Sequence, residues 1–299
     1  MPADFNQQII DEFRANGGKV GGPFEGGRLL LLTTTGAKSG ARRTNPVGYL
    51  PDGDRMLIIA SAAGAPKHPA WYHNLVANPE VTVEDGTFTY QARAEVLEKD
   101  ERDAVFARAT EQDPGWGEYQ RKTSRVIPVV ALVPTDGDMD GSPADNLKRV
   151  HDAFRRELSI VRRELASAGP TLGAQLRINC LTVCQGVSTH HGMEDRGLFP
   201  YLAQTHPELA PVIERLGEEH EVISRLLGEL QALLTGGGNG DGGGTAPAEA
   251  ATAPAVAGTA PAVAAAPAAV AAEVDRLISE LESHLDYEEE QLIPILAKM

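Results

Sequence analysis

Two copies of a His-x-x-x-Glu pattern lie in the second half of the chain, His190 with Glu194 and His284 with Glu288. On a helix, side chains four residues apart project from one face, so each pair can direct an imidazole and a carboxylate at one ion. Mixed nitrogen and oxygen ligands suit iron, manganese or zinc better than calcium. The two pairs therefore predict a metal centre between helices.

The surroundings of the two pairs also match. Each pair is followed by an apolar stretch with a proline six residues after the glutamate, Leu198-Phe-Pro-Tyr-Leu202 and Leu292-Ile-Pro-Ile-Leu296. Single His–Glu pairs are common on helix surfaces, but a solvated face has no reason to repeat this register. His151 and His220 fall singly on two further helix-like segments. Four helices thus offer four imidazoles and two carboxylates.

From Ala144 onward the hydrophobic period is that of helices. Candidate helices cover 144–167, 172–204, 208–234 and 270–298, each long enough to cross a bundle. Residues 235–270 between the last two are almost entirely Gly, Ala, Pro and Thr. Such a segment has too little apolar surface to offset chain entropy, which predicts disorder. We expect one helical domain over 144–299 with this low-complexity insert.

The first half has the pattern of a β-rich domain, because short apolar, β-branched runs are separated by Gly, Pro and Asp-Gly turns. Strands are expected at 29–35, 55–61, 81–83, 88–96 and 126–133, and helices at 3–15, 69–77 and 99–111. This pattern predicts an α+β domain, a small barrel, over residues 1–135. A linker rich in Asp, Gly and Pro is expected at 136–143.

The chain carries 27 Lys+Arg and 42 Asp+Glu, a net charge of −15. An acidic chain has no electrostatic attraction for a phosphate backbone, so neither nucleic acid nor an anionic membrane is an expected partner. No apolar run reaches membrane-spanning length and no signal-peptide pattern is visible. Cys180 and Cys184, one turn apart, are interpreted as small buried residues, with an oxidation-sensing pair as the alternative. We expect a reduced, soluble, cytoplasmic protein.

The second half resembles the hemerythrin-like, or HHE cation-binding, family over essentially residues 144–299. The resemblance implies an up-down four-helix bundle that holds two non-haem iron ions, with carboxylates as bridges and imidazoles at the outer positions. Carried over by motif, the terminal ligands are His151, His190, His220 and His284, and the bridges are Glu194 and Glu288.

The resemblance leaves several positions open. The longer carboxylate spacing of some members selects Glu289 instead of Glu288. Oxygen carriers of this family have a second histidine where this chain has Ser224, so redox chemistry or the sensing of dioxygen or nitric oxide is favoured over oxygen carriage. Glu219 or Glu221 is a candidate to complete the ligand shell. His191 lies one step off the ligand face, and a surface or outer role is favoured over ligation.

A basic loop between Thr33 and Pro46 follows the first strand of the β-rich half. Its small residues let the backbone approach an anion closely, and Lys38, Arg42 and Arg43 supply charge for phosphate or carboxylate. It has neither the Walker spacing nor the dinucleotide G-x-G-x-x-G pattern. The loop is interpreted as an anion site, and an ordinary basic turn is the alternative.

Residues 29–134 resemble the deazaflavin-dependent nitroreductase family. The matching blocks are Leu31 to Gly40, Arg43 to Pro46, Ala60-Ser61, Pro69 to Leu75, Ala77 to Pro79 and Arg125 to Pro128. The resemblance implies a split β-barrel that binds the deazaflavin coenzyme F-420. It assigns Lys38 and Arg43 to the phosphate and acidic tail of the coenzyme, and Ser61, Gly64, Trp71 and Asn74 to the lining of the deazaflavin.

The expected acceptors are quinones or nitroaromatic compounds. Tyr119 matches a tyrosine over the substrate pocket of the family, where its hydroxyl can donate a proton to the reduced acceptor. This chain has Gly48 where studied members have a tyrosine, with Tyr49 next to it, and Ala62 where they have a lysine. Coenzyme binding therefore carries over better than acceptor choice. FMN or a haem-like ligand in the barrel is the alternative.

Our hypothesis is a multidomain α+β redox protein, in which a deazaflavin-dependent reductase is coupled to a di-iron bundle. Hydride donors deliver two electrons together, and a di-iron site can accept two. The alternative is a non-enzymatic sensor of oxygen, nitric oxide or iron whose barrel only binds a cofactor.

Overall fold

The computed structural model describes residues 3–135, 142–235 and 267–299. The predicted linker at 136–143 and low-complexity insert at 235–270 lie almost entirely outside these ranges. Within them, no helix is both long enough and apolar enough to cross a membrane.

The N-terminal half is a closed antiparallel barrel with the strand order β1-β2-β3-β6-β5-β4. The strands are β1 (Leu29–Thr35), β2 (Arg42–Asp52), β3 (Arg55–Ile59), β4 (Glu80–Glu84), β5 (Thr89–Val96) and β6 (Val129–Pro134). The helices around it are α1 (Ala3–Ala15), α2 (Ala70–Ala77), α3 (Lys99–Gln112) and α4 (Gly115–Arg121). The predicted barrel fold is confirmed.

The leucine run of β1 is apolar at every position because both faces of the strand are buried. Leu30 and Leu32 point into the barrel, whereas Leu29 and Leu31 face outward. The outward pair packs under α1, against residues such as Phe13. A strand covered on both faces has no reason to alternate polar and apolar residues.

Strand β2 was not predicted from the sequence, because Pro46 and Pro51 are strand-breaking signals. The strand tolerates both prolines because each half pairs on one side only. Its first half, up to Gly48, pairs with β1, and its last residues, from Tyr49, pair with β3. A proline, which has no N–H, therefore leaves no inter-strand hydrogen bond missing on the side of β2 that has no partner strand. Helix α4 was also missed, since its sequence GWGEYQR contains two glycines.

The C-terminal half is the predicted four-helix bundle. Its helices are α5 (Pro143–Ala166), α6 (Ala174–Met193) continued by α7 (Phe199–Thr205), α8 (Ala210–Thr235) and α9 (Pro267–Leu296). A capping box between Ser142 and Asp145 begins α5, with each side chain bonded to the backbone N–H of the other residue.

A π-helical turn, Glu194–Leu198, joins α6 to α7. The N–H of Phe199 donates to the carbonyl of Glu194, five residues earlier. Pro200, which follows, has no N–H and clashes with a regular α-helical turn, so widening this turn relieves the conflict. Single π-turns of this kind occur often at functional sites.

The end of the barrel formed by the last residues of β2 rests on α5 and α6. The side-chain amide of Gln175 donates to the carbonyl of Pro51 at 2.8 Å, in a buried contact. The hydroxyl of Tyr49 donates to Glu157 at 3.1 Å. Arg28, whose side chain is only 5% exposed, pairs with Glu157 at 2.9 Å and with Glu164. These contacts join the two domains.

Arg28→Met is expected to lower the free energy of unfolding by about 2–3 kcal/mol, because it leaves two carboxylates without their cation. This loss of stability is smaller than that expected for a fully buried ion pair, because Glu157 and Glu164 remain about one-fifth exposed. Urea denaturation measures the change. Arg14→Met is the matched control, since Arg14 is half exposed in its pair with Glu84 and should cost under about 1 kcal/mol. Equal losses in both variants would contradict this view of the interface.

Candidate metal centre and cofactor site

Side chains from four helices converge in the core of the bundle. All are buried, and His151 and Glu288 are fully inaccessible. Buried charged and imidazole groups are costly unless they are paired or bind a metal. The six predicted ligands are brought together: His151 from α5, His190 from α6, Glu194 from the π-turn, His220 from α8, and His284 and Glu288 from α9.

One half of the cluster is built around His151 and His190. Their Nε2 atoms lie 3.2 Å apart. The Nε2 atom of His190 is 3.2 Å from Oε1 of Glu194, and that of His151 is 3.4 Å from Oε2 of Glu288. Two donors that are each roughly 2.1 Å from one ion lie about 3.0–3.4 Å apart at right or tetrahedral angles. These spacings fit a single ion.

The other half is built around His220 and His284, whose Nε2 atoms are also 3.2 Å apart. The second oxygen of Glu194, Oε2, is 3.7 Å from Nε2 of His220. Oε2 of Glu288 is 3.6 Å from Nε2 of His284. Each carboxylate therefore contacts both halves, as a bridge between two ions does.

The carboxylate oxygens lack other partners. Both oxygens of Glu194 and both of Glu288 are buried without a hydrogen-bond partner among the described residues. Two such groups side by side are expensive, because each lacks water and each repels the other. Bound divalent or trivalent cations remove both costs. The donor set therefore fits a metal centre, and its imidazoles and carboxylates suit iron.

Proton affinities in this cluster reflect burial first. Burial and the neighbouring Glu288 raise the pKa of Glu194 to about 10. Burial and the nearby His151 lower the pKa of His190 to about 3. Burial also raises the pKa of Glu288, but the surrounding imidazoles, led by His151, outweigh it and lower that pKa. Without metal, Glu194 is therefore protonated and His190 is neutral at neutral pH.

The metal-free chain is expected to lose stability at both ends of the pH range. A raised folded-state pKa for Glu194 means that stability is fully present below the unfolded pKa of about 4.5 and falls as pH rises from there to about 10. The lowered pKa of His190 means that stability falls as pH drops from about 6.5 to 3. Thermal unfolding in chelator measures both limbs. Glu194→Gln should remove most of the alkaline fall, and an equal fall in that variant would contradict the assignment.

Three of the imidazoles are oriented from outside by carboxylates. The Nδ1 atom of His220 lies 2.7 Å from Asp195, that of His151 lies 3.0 Å from Glu289, and that of His284 lies 3.0 Å from Glu219. Such contacts keep the proton on Nδ1 and leave the Nε2 lone pair for the metal. Glu289 and Glu219, considered above as ligands, are thus placed behind the histidines.

Asp195 was not singled out from sequence. The spacing of a regular helix does not predict its contact with α8, because the π-turn changes which residues after His190 face that helix.

For His191 the sequence left a surface role and an outer role behind the ligands open. It is 5% exposed, so the surface alternative is wrong, and its ring stacks on that of His220. Ser224, the position of the second histidine in oxygen carriers, is exposed on α8, and so is Glu221. His191 continues a buried stripe of α6 that includes Cys184 and Val187, which was the available signal.

Both cysteines lie in the bundle core, as the structural interpretation predicted. Burial raises the pKa of the Cys180 thiol and of the Cys184 thiol to about 12. Neither is a thiolate at neutral pH, so neither has the reactivity of a redox sensor.

The basic loop of the barrel forms the turn between β1 and β2. Lys38 and Arg43 are exposed there, and neither forms an ion pair with any residue in the ranges that the structure describes. Asn74 of α2 organises the turn, since its amide donates to the hydroxyl of Thr34 and accepts from the N–H of Ala37, both at 3.1 Å. Trp71, one turn earlier, packs into the barrel interior.

The second predicted lining segment lies between β3 and α2. Gly64 has φ +81°, and a Cβ there would lie 2.8 Å from the carbonyl oxygen of Tyr119. Ala62 and Ala63 also have positive φ angles, of 47° and 52°. Backbone strain of this kind concentrates at ligand sites. The structure thus brings Ser61, Gly64 and Tyr119 together at one end of the barrel.

Arg125 holds this strained loop in place. Its guanidinium donates to the carbonyls of Ser61 at 2.6 Å, Ala65 at 2.9 Å and Ala60 at 3.2 Å. Arg125 lies in one of the matching sequence blocks, but the sequence alone predicts no role for it. A single sequence does not tell which loop an arginine will clamp.

The loop sites and the metal centre lie at opposite ends of the barrel. Arg43 begins β2 beside the basic loop, and Pro51 ends it against the bundle. At a rise of roughly 3.3 Å per residue, these two positions are about 26 Å apart along the strand.

The molecule is thus a two-domain protein, in which a barrel with an exposed basic loop is fused to a helical bundle with a buried cluster of metal-ligand side chains. The family model for F420H(2)-dependent quinone reductases matches residues 6–134, and that for the hemerythrin HHE cation binding domain matches residues 142–296. The chain belongs to the first family through its barrel and to the second through its bundle.

Several relatives match about two-fifths of the chain. F420H(2)-dependent quinone reductases from two strains of Mycobacterium tuberculosis (ATCC 25618 / H37Rv and CDC 1551 / Oshkosh) are each 40% identical over 124 residues. That region is 40% of this chain and 83% of theirs. The solved F420-H2-dependent reductase FDR-A is 42% identical and covers 35% of this chain and 93% of its own, with a TM-score of 0.33.

Proposed function

We propose that the chain is a two-site redox protein, an F420H2-dependent quinone reductase whose barrel is coupled to a di-iron centre in the bundle. The 40% identity of the barrel to F420H(2)-dependent quinone reductases carries the first part. The unpaired carboxylates of Glu194 and Glu288 carry the second, because they need cations. Nitroaromatic compounds are further acceptors of the same hydride.

In the barrel, the reduced deazaflavin supplies a hydride, which a quinone takes up with a proton to become the quinol. The residues of the chain bind and orient. Lys38 and Arg43 would hold the phosphate and acidic tail, and the loop that contains Ser61 and Gly64 would line the deazaflavin. The hydroxyl of Tyr119 donates the proton to the acceptor oxygen.

Anaerobic turnover of F420H2 with a soluble naphthoquinone tests the reductase. We expect quinone-dependent oxidation of F420H2, and a roughly 10- to 100-fold lower kcat for Tyr119→Phe if the hydroxyl is the proton donor. An unchanged rate over a range of pH would exclude that role. Equilibrium dialysis with F420 and with FMN separates the two candidate coenzymes, and tighter binding of FMN would overturn the choice of deazaflavin.

In the bundle, His151 and His190 hold one iron ion and His220 and His284 hold the other, with Glu194 and Glu288 between them. Metal analysis of the purified chain should give two iron ions per chain. Dioxygen and nitric oxide are the small ligands expected to reach such a centre, and changes in its optical spectrum on their addition would report binding.

Coupling between the sites cannot be a direct hydride transfer. Reacting atoms must approach to about 3–3.5 Å, whereas β3 runs from Arg55, beside Asp52 at the bundle end, to Ile59, so the loop of Ser61 and Gly64 that follows it lies at the end of the barrel away from the bundle. We infer that the quinol carries the two electrons from the barrel to the metal centre. Oxidation of one quinol to the quinone would supply two electrons and release two protons, which matches the two electrons that a di-iron centre held by the bundle would accept.

A cavity between the domains offers the quinol a place beside the metal centre. It has a volume of about 250 Å³ at the end of the barrel that rests on the bundle, and Tyr49, Met56 and Tyr90 line it from the barrel side. Phe154 lines it from α5, and its ring also packs against His190, with centroids 5.5 Å apart. An apolar cavity of this size at a domain interface suits a ligand of one or two rings.

A further inference from the structure

His191 is a buried group that the six ligands of the metal centre leave without a role. Its Nε2 atom is inaccessible to solvent and has no hydrogen-bond partner among the described residues. A buried polar atom without a hydrogen-bond partner costs free energy unless a ligand supplies the partner. One ring nitrogen of His191 lies within 4.8 Å of a ring nitrogen of His220 and of one of His284. The missing partner is therefore sought at the metal centre.

The ring geometry argues against His191 as a further ligand of the same ion. Its ring is parallel to that of His220, at 9° and with centroids 3.9 Å apart. An ion bound by an imidazole lies in the plane of that ring, along the lone pair of its nitrogen. An ion held by His220 therefore lies outside the plane of His191. In this arrangement His191 stands beside the ion without binding it.

Packing holds His191 in this position. The ring of His220 lies between those of His191 and Phe199, at centroid distances of 3.9 and 5.2 Å. His284 meets the edge of His191 at 72° and 5.0 Å. Turning the His191 ring toward the ion would break the stack with His220.

The ion beside His191 has room for a non-protein ligand. Its protein donors are His220, His284 and the two bridging carboxylates, fewer than the six positions of an octahedral iron site. Ser224 cannot add a donor, because it is exposed. The other ion differs, since the aromatic ring beside its histidines is that of Phe154, which has no polar atom.

We propose that His191 hydrogen-bonds a small anion bound at the open position of the ion held by His220 and His284. The proposal rests on the di-iron centre proposed above. A neutral imidazole carries one N–H. With that proton on Nε2, His191 donates a hydrogen bond to the anion, and its Nε2 atom gains the partner that it lacks. The proposal makes the two ions inequivalent, with small anions bound at one of them.

Azide titration of the iron-loaded full chain, followed by its charge-transfer absorption, tests the proposal. His191→Phe keeps an aromatic ring on His220 but removes the nitrogen. We expect it to retain two iron ions per chain and to bind azide about tenfold more weakly. His191→Gln keeps an N–H donor, so its azide affinity should lie between those of the wild type and His191→Phe. It is also the variant to measure if His191→Phe does not fold. Ser224→Ala, on the exposed face of α8, is the control and should match the wild type.

Two outcomes would overturn the proposal alone. An azide affinity that is the same in wild type, His191→Phe and His191→Gln would show that His191 only packs. Loss of one iron ion from His191→Phe would show that it is a ligand. A wild-type chain that loads no iron would overturn the di-iron centre together with this proposal.

Discussion

Glu194→Gln should lower iron affinity by more than about 100-fold and leave a chain with little bound metal after dialysis. Glu194 offers one oxygen to each half of the centre, so the change removes a ligand from both ions at once. Changes behind the ligands usually cost 10- to 100-fold in metal affinity, and a bridging ligand should cost more. Iron analysis after dialysis against a weak chelator measures the loss.

The same variant should not destabilise the metal-free chain. The amide has the size of the carboxyl group and is neutral without having to bind a proton, so the metal-free melting temperature should stay constant or rise. Glu289→Gln is the matched control, because Glu289 lies behind His151, where it contacts Nδ1 of that histidine and pairs with Arg155. It should weaken iron binding by about 10- to 100-fold. The assignment of the bridge fails if Glu289→Gln loses more iron than Glu194→Gln.

Lys38→Ala and Arg43→Ala should each weaken binding of oxidised F420 by about 10- to 100-fold. A hydrogen bond between a charged side chain and a phosphate contributes about 1.5–3 kcal/mol, which corresponds to this range. Both side chains are exposed and without ion pairs within the described ranges, so their charge is available to a ligand. Quenching of F420 fluorescence on binding measures the dissociation constant.

Arg42→Ala provides the control for these two variants. Arg42 is next to Arg43, but its guanidinium donates to the hydroxyl of Thr82 at 2.6 Å. Its loss removes the same charge from the same loop and should weaken coenzyme binding less than threefold. Equal effects of all three substitutions would mean that the loop attracts anions only through its net charge, without specific contacts.

Sequence alone predicts most of the bundle and its cluster of donors. Spacing of four residues on a helix places His190 with Glu194, and His284 with Glu288, on one face each, and helix geometry is regular enough to preserve this. The long apolar stripes also predict the helix bounds within a few residues. What spacing cannot show is which bonds surround the cluster. Asp195 reaches His220 only because the chain widens into a π-turn.

His191 shows a second limit of sequence reasoning. One residue from His190 on a helix is a rotation of about 100°, which normally separates a ligand face from the surface. The buried face of α6 is wide enough for both positions, because the helix packs against other helices on two sides. The tertiary arrangement of α8 and α9 decides this, and the local pattern does not contain it.

The barrel was harder to predict than the bundle. Pro46, Gly48 and Pro51 disguise β2, and its tolerance of them depends on pairing with different partners in its two halves. Similarly, Arg125 clamps residues some sixty positions away. The small and basic residues located the basic loop and the family resemblance assigned it a coenzyme, but only the fold shows that this loop lies at the end of the barrel away from the bundle.

Reduction of the iron centre under anaerobic conditions tests the proposed coupling most directly. The iron-loaded ferric chain is mixed with F420H2, with and without a small amount of naphthoquinone, and the ferric absorption is followed in time. We predict rapid reduction only when the quinone is present. Met56→Trp, which fills the cavity between the domains, should slow this step but not the turnover of F420H2 with excess quinone. Equal rates of iron reduction with and without quinone, or no reduction in either case, would contradict coupling through the quinol.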